Sequence, residues 1–86
     1  MKIKPGFVLR DIAGEHVAVP VGDGIDLNMM ITLNDTGCTL WKKLETGADL
    51  DELVQALLSE YDIDEETAKA HAEKFVGKLK DNGFLE

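Results

Sequence analysis

The sequence predicts an α+β domain in which a three-stranded antiparallel sheet is followed by three helices. Two observations carry this. Up to residue 33 the apolar residues come in short, β-branched runs separated by turn residues; from Gly37 onward they recur at i, i+3, i+4 and i+7. Helix caps and stops also fall at the boundaries that this change of period requires.

Residues 7–12 and 15–21 read as the first two strands, joined by the two-residue hairpin turn Ala13-Gly14. Val17, Val19 and Val21 alternate onto one face, and His16, Ala18 and Pro20 onto the other. Pro20 lacks an N–H for the ladder and belongs at an edge or a strand end. Gly22-Asp23-Gly24 reads as a loop, and residues 29–33 as a third, antiparallel strand.

Gly37, Leu40, Trp41 and Leu44 make the apolar stripe of the first helix, with Asn34 or Asp35 as its cap and Thr46-Gly47 as its end. The second helix opens on a capping box, Asp49 with Glu52, and carries Leu50, Leu53, Val54, Leu57, Leu58 and Tyr61 on one stripe. The third begins at the cap Asp64, where Glu65 and Glu66 suit the positive end of the helix dipole. Ala68, Ala72, Phe75, Val76 and Leu79 form its apolar face. Asn82-Gly83 stops it, and Phe84-Leu85 can fold back onto the core.

At 86 residues, 44% of them apolar, residues 1–86 make a single domain able to bury one modest core. Cys38 is the lone cysteine, so there is no internal disulfide; it reads as a small core residue or free thiol suited to a reducing compartment. The N-terminal residues show no signal-peptide core, and no run approaches the ~18 apolar residues of a membrane span. A cytoplasmic protein with no membrane partner is therefore expected.

The chain carries a net charge of −8, and residues 45–66 hold nine acids and no base. His16 and His71 are the two histidines, and neither has a partner at metal-ligand spacing. There is no Ser/His/Asp set and no glycine-rich phosphate loop. Gly22-Asp23-Gly24-Ile25-Asp26 lacks the spacing and terminal glutamate of a calcium loop. The expectation is a protein that is not an enzyme and has no cofactor and no metal. An acidic carrier protein is disfavoured too, because Ser59 lies near a helix end rather than at a helix start.

A small sheet with three helices is the inventory of a winged helix-turn-helix, which raises DNA binding. The recognition helix of such a domain meets the bases with its first turn. Here that turn is Asp64-Glu65-Glu66, and phosphates are bound by Lys and Arg. Nucleic acid is excluded as a partner on electrostatic grounds.

Taken in order, Leu33-Asn34-Asp35-Thr36-Gly37, Trp41, Leu44-Glu45-Thr46-Gly47, Asp49-Leu50-Asp51-Glu52-Leu53, Tyr61-Asp62-Ile63 and Asn82-Gly83-Phe84-Leu85 resemble the PqqD family. These small proteins of pyrroloquinoline-quinone synthesis are the prototype of the peptide-recognition element in pathways that modify ribosomally made peptides. The similarity runs from Phe7 to Leu85 and lies mostly in cap and core positions. Cys38 and His71 differ from the family's usual small aliphatic residue and acid.

The resemblance implies a winged helix-turn-helix fold that binds a precursor's leader peptide. The leader adds as a strand beside the third strand and rests against the third helix. An open strand edge offers unpaired N–H and C=O groups to any extended peptide, and side chains then supply selectivity. The expected peptide-binding residues are Met29, Met30, Ile31, Thr32 and Leu33 on the strand, with Lys69, Ala72, Glu73, Val76 and Lys80 on the helix. Leu40, Trp41, Leu53, Leu57 and Phe75 are assigned to the core. The implied function is a non-enzymatic adaptor, monomer or homodimer, that presents the leader to a modifying enzyme of the radical-SAM type. The alternative is a winged-helix interaction or regulatory domain that acts through a protein partner or homodimer rather than DNA.

Overall fold

A computed structural model describes residues 1–21 and 30–86. Strands β1 (Phe7–Ile12), β2 (Glu15–Pro20) and β3 (Ile31–Leu33) are followed by helices α1 (Asp35–Thr46), α2 (Leu50–Glu60) and α3 (Glu65–Asp81). The sheet is antiparallel in the order β1-β2-β3. This is the α+β order that the sequence predicts. The loop expected at Gly22-Asp23-Gly24, the calcium-like run through Asp26, and Met29 lie outside the described residues.

The β1–β2 register, Phe7 with Pro20 through Ile12 with Glu15, leaves Ala13 and Gly14 as the turn. Their φ angles are 52° and 82°, the positive pair that a type I′ hairpin turn demands. β3 is shorter than expected: Ile31 to Leu33 pair with β2, and Met30 stands exposed before the strand. Ala18 pairs with Ile31 and His16 with Leu33, so the Ala18 face of β2 joins Ile31 and Leu33 in meeting the helices.

Each helix starts on a side-chain cap that accepts an orphan backbone N–H. Asn34 takes this role for α1, accepting from Gly37 N–H at 2.8 Å. On α2 the capping box is complete, with Glu52 N–H donating to Asp49 at 2.8 Å and Asp49 N–H to Glu52 at 3.2 Å. Asp64 accepts from Thr67 N–H at 2.7 Å. Hydrogen bonding from Thr67, its side chain first and then its backbone N–H, holds the Asp64 carboxyl below its usual pKa.

The core is centred on Leu40, Trp41, Leu44, Leu53, Leu57 and Leu79, all at most 1% exposed. Phe84 returns from the end of α3 to meet Phe7 and Trp41, with ring centroids 5.0 to 5.9 Å apart. An Ile3–Leu85 bridge ties the first residues beside the last. The effect on function is geometric: β3, α1 and α3 are locked together along one seam.

Candidate functional site

That seam opens as a groove of about 750 Å³. One wall is Thr32 and Leu33 of β3 with the Gly14–His16 end of the hairpin; the other is His71, Lys74, Phe75 and Lys78 of α3. The first turn of α1 closes one end, and Gly37 and Leu40 lie in the floor. Among the described residues β3 pairs with β2 alone, so its far side is a free edge. Such an edge presents alternate N–H and C=O groups outward.

Of the residues expected on the strand, Thr32 and Leu33 line this groove. Ile31 is buried in the core with its backbone in the strand, Met30 is 44% exposed just upstream, and Met29 lies outside the described residues.

The residues expected on the helix lie off this groove. Ala72 is wholly buried in the core, and Val76 packs against it. Lys69, Glu73 and Lys80 are exposed, but none of these five residues lines the groove. An α-helix turns ~100° per residue. Positions 71, 74, 75 and 78 therefore flank the buried stripe Ala68-Ala72-Leu79 on one side, and 69, 73, 76 and 80 on the other. β3 meets the first flank. Phe75, assigned to the core from sequence, is half-buried and serves both core and groove. The signal missed is the stripe His71, Lys74, Phe75, Lys78, which obeys the same i, i+3, i+4, i+7 spacing as the core face.

At the hairpin end His16 is held between two carboxylates. Its Nδ1 meets Asp11 Oδ1 at 2.5 Å, and its Nε2 lies 3.3 Å from Asp35 Oδ1. The Asp11 hydrogen bond chiefly, with help from Asp35, raises the imidazole pKa above its ordinary value. The pairs tie the hairpin to the start of α1 and so brace the groove's end. Cys38 is buried behind it, and loss of hydration pushes its thiol pKa up, the direction that suppresses thiolate chemistry.

A second hollow of about 860 Å³ lies between α1 and α2. Asp49, Asp51, Glu52 and Glu60 line it beside Lys42 and Lys43, and no residue of β3 reaches it. Among the described residues no group of three or more His, Cys, Asp or Glu side chains could hold a metal ion. No described helix is long and apolar enough to cross a membrane.

A short antiparallel sheet, three capped helices and a groove under a strand edge that is unpaired among the described residues make up a winged-helix-like α+β domain. The chain belongs to the family of Coenzyme PQQ synthesis protein D (PqqD), which matches residues 9–85. Among solved structures it is similar to TbiB1 in complex with the TbiA(beta) leader peptide. The TM-score is 0.76 at 29% identity, covering 100% of this chain and 95% of that one. It also shares its fold with lasso peptide synthetase B1 complexed with the leader peptide, with a TM-score of 0.72 at 24% identity over 96% of this chain and 93% of that one. No curated protein sequence matches the chain.

Proposed function

We propose that this protein is a non-enzymatic adaptor that binds the leader segment of a ribosomally made precursor peptide. The leader adds as a strand to the free edge of β3 and lies in the groove against α3. It is thereby presented to a modifying enzyme, which membership of the PqqD family suggests is of the radical-SAM type.

The observation that carries this reading is the union, in one seam, of a strand edge that is unpaired among the described residues and an apolar-floored groove. Its support from outside the chain is the similarity to TbiB1, itself in complex with a leader peptide. Strand addition draws affinity from main-chain hydrogen bonds, so it tolerates many sequences, and groove side chains select among them. The adaptor's contribution to modification is effective concentration: once the leader is held, the enzyme meets the core segment as a tethered substrate. On this geometry the binding set is Met30, Ile31, Thr32 and Leu33 on the strand, joined by His71, Lys74, Phe75 and Lys78 on α3.

An NMR titration with the leader peptide encoded beside the protein tests the reading. Shifts concentrated at Thr32, Leu33 and the α3 wall are expected. Shifts confined to the α1–α2 hollow, or a self-paired dimer that hides β3, would overturn it. Affinity purification from the native cell with the tagged protein tests the enzyme: a radical-SAM protein should be retained only when the precursor is present.

A further inference from the structure

Resting on the strand-addition reading, we infer that the groove selects extended peptides bearing two acidic side chains two residues apart, read by Lys74 and Lys78. The chain as a whole is acidic, at −8, yet no residue of the acidic run 45–66 lines the groove. Its α3 wall instead carries Lys74 and Lys78, both exposed, with His71 one turn before Lys74. Among the described residues the carboxylates in ion pairs are Asp11 and Asp35, both on His16, so neither lysine has an internal partner.

The spacing fits an extended ligand. Lys74 and Lys78 are one helical turn apart, about 6 Å along the axis. Side chains i and i+2 of a β-strand share a face and stand roughly 6.6–6.8 Å apart. A peptide strand that runs along α3 on the β3 edge, with two acids at i and i+2 facing the helix, meets one lysine with each. The facing wall adds discrimination. Glu15 stands there and Asp35 at the α1 end beside it, so a carboxylate displaced toward the hairpin is repelled, and the charge pattern fixes the register as well as the side chain.

Selection from a displayed library of random peptides about ten residues long tests this against the wild-type protein and a Lys74→Glu/Lys78→Glu variant. Both positions are exposed, and circular dichroism verifies that the variant folds. A protein of this net charge enriches basic peptides if its overall field alone acts, so enrichment of acids reports the local site.

The wild type should enrich Asp or Glu pairs at i, i+2, and added salt should weaken the selected peptides. Those peptides should bind the variant about tenfold less well, and the variant should instead enrich Lys or Arg at the same positions. Peptides that shift the Thr32 and Leu33 amides without any acid preference would overturn this inference and leave strand addition standing. No enrichment, or enriched peptides that shift other residues, would overturn both.

Discussion

Gly37 and Phe75 approach so closely that a Cβ on Gly37 would lie 3.2 Å from Phe75 Cε1, and 3.0 Å from Asn34 Oδ1. The glycine is therefore a packing requirement, and its backbone is ordinary helix. It lets α3 bring Phe75 against the first turn of α1 while Asn34 caps that turn. The groove floor depends on this contact.

Gly37→Ala should destabilise the fold by about 1 kcal/mol net. Overpacking costs ~1–3 kcal/mol, and the better helix propensity of alanine returns up to ~1 kcal/mol. Chemical denaturation measures it. In a Phe75→Leu background, where the facing ring is gone, the cost should shrink. An alanine variant as stable as wild type, or an unchanged cost in that background, contradicts the packing account.

Ala13 sits at φ 52° in the hairpin turn, a conformation that costs a non-glycine residue roughly 1 kcal/mol. Asn-Gly is the favoured pair for a type I′ turn. Ala13→Asn should thus stabilise the protein by a few tenths to ~1 kcal/mol, read as a higher denaturation midpoint at unchanged m-value. A lower midpoint would show that the turn is of another type.

His16 should make stability depend on pH in a defined direction. Its folded pKa lies above the ordinary value of 6.5, raised chiefly by Asp11. The stabilisation is present in full below the unfolded pKa and is lost as pH rises through the folded one. The stability difference between wild type and His16→Gln should accordingly shrink as pH climbs past 6.5. Asp11→Asn should bring the imidazole pKa, followed by NMR, back down by more than Asp35→Asn does. An imidazole that titrates at or below its ordinary value would refute the clamp.

Local signals were the legible ones. Asn34, Asp49 and Asp64 cap within three residues of their partners, so sequence spacing suffices to find them. Ala13-Gly14 marked the hairpin for the same reason. The length of β3 was less accessible, because a strand's end is set by where its partner β2 stops offering pairs.

The α3 wall of the candidate groove was hidden for a stronger reason. Both flanks of the buried Ala68-Ala72-Leu79 stripe carry lysines, and periodicity identifies the buried face without saying which flank a distant strand will meet. Phe75 compounded this, since an aromatic residue on an apolar stripe looks like core even when one side of it faces a groove.

The central claim is that the edge of β3 is the docking site. Isotope-filtered NOE spectroscopy of the labelled protein with its unlabelled leader peptide tests it most directly. Strand addition predicts backbone contacts between the leader and Thr32 and Leu33, together with side-chain contacts to Phe75. Leader contacts confined to the hollow between α1 and α2, with the β3 backbone untouched, would contradict it.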